Sequence, residues 1–237
     1  MGTRLARLIA IEGIDGSGKG TQARRLQERL ARQGRSACLL SFPRYEATRF
    51  GRAVGQFLDG QFGPLDSVHP QLASLLFAGD RFESKSVIAQ ATRDHEVVIF
   101  DRYVASNVAH QAARLPEPER TQLVHWIEDV EYGIFGLPQP ERTILLDLPA
   151  ATAQQLIALK SARSYTSKSA DLHERDHDYL ERVRHVYREL AGIAAPGSRA
   201  SGRCDWECVS CVADGRLRTV EEIADELWDR TGLESTP

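Results

Sequence analysis

Short apolar runs set off by longer stretches of mixed polarity organise this chain. The runs are Leu8–Ile11, Ala37–Phe42, Val97–Phe100, Thr143–Leu148 and Trp206–Ala213. They are continuous rather than alternating, which suits strands buried on both faces of a parallel sheet. Between them, Gly18–Gln33, His69–Arg93, Pro118–Glu131, Asp171–Ala194 and Thr219–Arg230 read as helices. Alternating strands and helices predict an α/β fold with a five-stranded parallel sheet flanked by helices. No internal repeat is visible. Ala195–Arg203, rich in Gly, Ser, Ala and Arg, reads as a surface loop before the last strand rather than a linker, so one domain over residues 1–237 is expected.

Composition narrows the class of protein. A chain of 237 residues that is 42% hydrophobic can fill a core, which excludes wholesale disorder. The formal net charge of −3 argues against a dedicated duplex-DNA binder, and no nucleic-acid partner is expected. The longest apolar runs fall far short of the roughly 20 residues that span a bilayer. Met1–Ala10 carries Arg4 and Arg7 and lacks a small-residue cleavage site, so neither membrane nor export is expected. Four cysteines are too few to staple a fold of this size, and a reduced, cytoplasmic protein is the expectation.

Chemistry begins where the first run ends. Gly13-Ile14-Asp15-Gly16-Ser17-Gly18-Lys19-Gly20-Thr21 joins a strand to a helix. Glycines let successive N–H groups curl around phosphate oxygens, the helix N-terminus adds positive charge, and Lys19 supplies a cation for β- and γ-phosphates. The pattern points to a nucleoside triphosphate. Gly20 stands where the strict motif has the Mg²⁺-binding Ser or Thr, with Thr21 one step later, a departure seen in adenylate-kinase-like loops. The third run ends in Asp101-Arg102-Tyr103. An Asp at the carboxyl end of a parallel strand faces the ligand crevice, where it can bind hydrated Mg²⁺, and the adjacent Arg can clamp a phosphoryl group. No Asn-Lys-x-Asp sequence is present for guanine recognition, and no Asp-Glu pair follows an apolar strand as in motor ATPases.

Taken in order, the phosphate loop, Phe42-Pro43-Arg44-Tyr45, Phe77-Ala78-Gly79-Asp80-Arg81, Asp101-Arg102-Tyr103-Val104-Ala105-Ser106-Asn107 and Gly136-Leu137-Pro138 resemble the thymidylate kinase family over roughly Leu8–Ala191. The resemblance implies a P-loop nucleoside monophosphate kinase fold with a mobile lid at about residues 160–171. It also implies Mg²⁺-dependent phosphoryl transfer from ATP to dTMP, giving ADP and dTDP, in a homodimer. Gly13 to Thr21 and Lys168 would then bind ATP. Asp15 would meet the acceptor's 3′-hydroxyl, with Asp15, Asp101 and Glu174 near the metal. Phe77 would stack on the base, Arg81 donate to O4 and Asn107 meet N3. Arg102 and Arg44 would hold the acceptor phosphate, and Phe42 and Tyr45 wall the pocket. His110 stands where close relatives often carry Tyr near the sugar 2′ position, and either touches the sugar or only covers a helix face. Because Gly16 follows Asp15 where some members carry Arg, the lid must supply catalytic charge. Lys160, Arg163 and Lys168 are the candidates, with Arg163 first. Lys19, Arg102, Asp15, Asp101 and Arg163 form the expected catalytic set.

Other readings stay open at this level. The same residues suit a kinase of dUMP, UMP or a deoxynucleoside, or a P-loop module that binds ATP and transfers nothing. Cys204, Cys208 and Cys211, spaced for a strand, with Cys38 distant, make a poor zinc set, and His173, His177 and His185 read as surface groups.

Overall fold

The computed structural model describes residues 6–163, 177–194 and 205–233 and, at 65 and 160–163, the backbone alone. Five strands form one parallel sheet: β1 (Arg7–Glu12), β2 (Ala37–Ser41), β3 (Val97–Asp101), β4 (Arg142–Asp147) and β5 (Asp205–Ser210), in the order β2-β3-β1-β4-β5. β1 lies at the centre because Leu8–Ile11 are apolar on both faces, and β3 and β4 bury their apolar runs the same way. The edge strands β2 and β5 are only half buried. Each fully buried Ile, Leu or Val contributes about 1.5–3 kcal/mol.

Helices cover both faces, as the pattern predicted. They are α1 (Lys19–Arg32), α2 (Arg49–Leu58), α3 (Pro70–Glu83), α4 (Lys85–Asp94), α5 (Val104–Ala112), α6 (Glu119–Glu128), α7 (Ala150–Arg163), α8 (His177–Leu190) and α9 (Val220–Thr231). α1 buries Gln22, Ala23, Leu26 and Leu30, one stripe at helical spacing. A short hairpin, β6 (Val212–Ala213) with β7 (Arg216–Leu217), leads into α9.

Several boundaries differ from the sequence reading, each for a physical reason. The helix expected over His69–Arg93 breaks at Ser84, whose hydroxyl donates to the Asp80 carbonyl (2.8 Å) and competes with the backbone ladder. The helix expected to end at Glu131 passes from α6 into a π-helical turn over Asp129–Ile134. The last strand stops at Ser210 and turns into the hairpin rather than running to Ala213. α2, α5 and α7 were not expected. α2 hangs on an N-cap, where Thr48 Oγ1 accepts from Gly51 N (2.8 Å), and α5 and α7 follow almost directly on β3 and β4. Lys160 and Arg163, read as loop residues, belong to α7. The greater part of the expected lid, with Lys168, His173 and Glu174, lies outside the described residues, as do Cys204 and the Ala195–Arg203 loop. Among the described residues no helix is long and apolar enough to cross a membrane.

Candidate active site

The sheet order puts the two chemical motifs side by side. β1 and β3 are neighbours with Ile11 level with Asp101, so the phosphate loop and Asp101-Arg102 emerge together at the carboxyl edge. Arg102 N continues the ladder to the Ile11 carbonyl (3.1 Å). Arg102 itself sits at φ 66°, in the left-handed region that costs a non-glycine residue about 1–2 kcal/mol. Such strain persists where the surroundings overdetermine it, and it commonly marks a functional position.

That surrounding is charged and buried. Glu12, at the end of β1 and wholly buried, accepts from Tyr103 N (2.7 Å), Ser106 Oγ (2.6 Å) and Tyr187 Oη (3.0 Å), which fixes the Asp-Arg-Tyr turn from beneath. The Arg102 guanidinium pairs with the Asp15 carboxylate, donates to Ser106 Oγ (3.2 Å) and lies 3.4 Å from His110 Nε2. Burial alone would lower its pKa, but Asp15, Tyr187, Glu12 and Asp101 together raise it, so Arg102 is a permanent cation at the mouth of the cleft.

The phosphate loop forms the donor side. Lys19 donates to the Ile14 carbonyl (2.8 Å) across the loop. Burial, then the charge of Arg102, pushes its pKa down to about 8 against the opposing pull of Asp15, Asp101 and Glu12. Gly16 has φ +82°, and a Cβ there would meet the Ala153 carbonyl of α7 at 2.7 Å. The loop is thus packed against the helix that leads toward residues 164–176. A Cβ on Gly20 would meet Asp101 Oδ2 at 2.9 Å, so the missing Walker hydroxyl leaves room for that carboxylate.

On the other side of Arg102 lies a cleft lined by Asp15, Phe42, Tyr45, Phe77, Arg81, Arg102, Asn107, His110 and Gln111, among others. Phe77 is half-buried, touches Phe57 edge-on at 6.4 Å between ring centroids, and turns its remaining surface to the cleft, so it is not a core residue. Asn107 Nδ2 donates to the Ser74 carbonyl (3.0 Å) and to Glu131 (2.8 Å), and its Oδ1 is buried with no partner among the described residues. His110 sits against Tyr179 and Tyr187, with Nδ1 3.2 Å from Tyr179 Oη.

Three of the expected acceptor residues have settings that the sequence did not show. Arg44 does not line the cleft; its Nη1 donates to Ser84 Oγ (3.2 Å) beside it. Phe42 lines the cleft as expected and at the same time packs into the core, tilted against Phe100 and Tyr103. Arg81 is 2% exposed and locked to Glu131 by Nε (2.5 Å) and Nη2 (2.6 Å), so any contact with a base uses what is left of its fork. Burial would lower its pKa and Glu131 raises it.

Two residues escaped the sequence reading. Asp80, wholly buried, accepts from Arg44 N (2.9 Å) and from Thr48 Oγ1, and so holds the Phe42–Tyr45 loop to α3. Glu131 holds both Arg81 and Asn107. The Asp80 signal was a carboxylate inside an apolar helix face, whereas Glu131 sat in an unremarkable acidic stretch. Gly79 serves packing: a Cβ would strike the Phe50 ring at 2.5 Å.

A five-stranded parallel sheet, a phosphate loop, and a second cleft across one arginine define a P-loop nucleoside monophosphate kinase. A family model described as thymidylate kinase matches residues 11–195, and the chain belongs to the thymidylate kinase family. The thymidylate kinase of Mycobacterium tuberculosis H37Rv is 38% identical over 184 residues, 78% of this chain and 85% of that protein. A putative thymidylate kinase of Aeropyrum pernix is 29% identical over 226 residues, 94% of this chain and 95% of that one. The solved thymidylate kinase of Candida albicans superposes with a TM-score of 0.67 at 23% identity, covering 95% of this chain and 90% of that one, a likeness of fold.

Proposed function

We propose that the protein transfers the γ-phosphoryl group of ATP to dTMP, giving ADP and dTDP. The observation that carries this is the single guanidinium of Arg102, shared between the phosphate loop, through Asp15, and a cleft whose walls suit a pyrimidine. A flat aromatic face at Phe77, a donor at Arg81 and an acceptor at Asn107, unpaired among the described residues, complement the ring, O4 and N3–H of thymine.

Catalysis by such a site is positioning and electrostatics, with no covalent enzyme intermediate. Lys19 and the loop amides hold the donor phosphates. Arg102 faces the phosphoryl group in flight, and Asp15 holds Arg102 and meets the acceptor's 3′-hydroxyl. Arg44 reaches the acceptor phosphate only by leaving Ser84. Asp15 and Asp101 are hard oxygen donors flanking Lys19, and Mg²⁺ takes one or two carboxylates together with substrate phosphates. The donor set therefore fits that ion, which would supply charge neutralisation between phosphates, with Glu174 as a third carboxylate. Residues 1–237 act as one unit, whose lid at about 160–171 brings Lys160, Arg163 and Lys168 to the donor. The enzyme works as a homodimer. Phe50, Phe82 and Ile134, apolar and exposed on α2, α3 and the π turn, support a face for the second copy.

A coupled ADP-release assay across dTMP, dUMP, UMP, dCMP and thymidine tests the proposal. Release driven best by dTMP is the expected result. ATP binding without acceptor-dependent release would make the protein a nucleotide-sensing module, and faster release with thymidine would make it a nucleoside kinase.

A further inference from the structure

Arg81, Asn107 and Glu131 meet in one buried cluster on the wall of the acceptor cleft, and no motif announced the third. Glu131 is wholly buried. Its Oε2 accepts from Arg81 Nε (2.5 Å), and its Oε1 accepts from Arg81 Nη2 (2.6 Å) and Asn107 Nδ2 (2.8 Å). The π-helical turn that carries it adds a residue per turn just where α6 ends, a geometry frequent at functional sites.

This arrangement decides which way the Asn107 amide faces. Its two buried neighbours, the Glu131 carboxylate and the Ser74 carbonyl, only accept hydrogen bonds. The NH₂ must therefore point at them and Oδ1 away from them, and Oδ1 is buried without a partner among the described residues. A buried acceptor left unpaired is costly, so it selects a ligand that brings a donor.

We propose that Glu131 is a positioning residue that sets the hydrogen-bond polarity of the base subsite. It turns Asn107 to present an acceptor and holds Arg81 to present a donor. The cleft then takes a pyrimidine with N–H at N3 and a carbonyl at C4, and refuses one with a bare N3 and an amino group at C4. The inference rests on the reading of this cleft as the dTMP seat.

Glu131→Gln tests it. The isosteric amide keeps one acceptor oxygen where the carboxylate has two, so it cannot satisfy Arg81 Nε, Arg81 Nη2 and Asn107 Nδ2 together, and the hold on both side chains loosens. The KM for dTMP should rise by about tenfold or more while kcat moves by less than about threefold. The dTMP-over-dCMP ratio of kcat/KM should fall by about tenfold or more, and ATP affinity, titrated without acceptor, should hold. In an Asn107→Ala background the same substitution should lower the ratio by less than in wild type, the remainder running through Arg81. An unchanged dTMP KM, or equal losses for dTMP and dCMP, would overturn the proposal and leave Glu131 a partner of Arg81 alone. If E131Q fails to bind ATP, Glu131→Asp, which keeps a charge for Arg81 but shortens the reach to Asn107, carries the same comparison, and the same pair of results decides it. Wild-type enzyme that phosphorylates no dTMP would instead sink the reading of the cleft.

Discussion

The donor side and the acceptor side of this cleft are built by different means. The donor side is nine consecutive residues whose work is done mainly by backbone amides and one lysine. The acceptor side is made chiefly of side chains from α3, α5, the turn after β3 and the loop after β2, locked by buried carboxylates that include Glu131 of the π turn. Arg102 pairs with Asp15 over 87 positions, and Arg81 with Glu131 over 50. A backbone cradle fails when one of its glycines gains a side chain, whereas a pocket of buried charges fails when one partner is removed, because the other is left uncompensated.

Substitutions can sharpen or break that contrast. The largest effect is expected at the shared residue. Arg102→Ala should lower kcat by about 10³-fold while ATP binding largely persists, since an arginine supplied to phosphoryl transfer is worth at least that much. Equal loss of ATP affinity in a titration would make Arg102 a support for the loop and dissolve the distinction between the two sides.

Asp80→Ala should act on the acceptor side alone. It strips the carboxylate from Arg44 N and Thr48 and should cost about 3 kcal/mol of stability, with a raised dTMP KM and an unchanged ATP affinity. Urea unfolding with and without dTMP measures both. A variant as stable as wild type would mean water replaces the carboxylate.

On the donor side, Gly16→Ala should cost about 1–2 kcal/mol for the left-handed backbone, plus its clash with the Ala153 carbonyl. Its signature is a raised KM for ATP with the dTMP KM unmoved. Phe77→Ala should show the mirror image. Loss of one base–aromatic stack is worth about 1–3 kcal/mol, seen as a dTMP KM roughly tenfold higher with little change in melting temperature. A melted variant would return Phe77 to the core.

The smallest effect lies outside both sides, at the α9 capping box. Thr219→Ala should cost about 1 kcal/mol and leave both KM values alone. Its partner Glu222 is held down to about 2 by the Arg216 guanidinium, from an ordinary 4.5. A carboxylate depressed in the folded state stabilises above its unfolded pKa and loses that contribution as pH falls. The stability gap between wild type and Glu222→Gln should therefore narrow from pH 4.5 toward pH 2. A gap that widens with acid would contradict the Arg216 pairing.

The same contrast explains what could be read in advance. The meeting of Gly13 to Thr21 with Asp101-Arg102 at one sheet edge was legible because each motif directly follows its strand, and the place of Phe77 in the cleft was anticipated from the resemblance. The real settings of Arg44 and Arg81 were not, since a guanidinium's partner 40 or 50 positions away leaves no periodic trace. Ser84 broke a helix that apolar spacing alone would have continued, because a hydroxyl's choice between solvent and backbone depends on its neighbours.

Left to itself, then, the chain's pattern determined the parallel sheet, the central position of its apolar runs, the phosphate loop and the family of the enzyme. These follow from hydrophobic continuity and from glycine and lysine at fixed offsets, which act over a few residues. Folding decided how Asn107 faces, what restrains Arg81, and why Arg102 adopts its left-handed turn. Each depends on a buried charge finding its complement, and in a medium that strongly penalises unpaired charge that choice is made only when distant segments have packed.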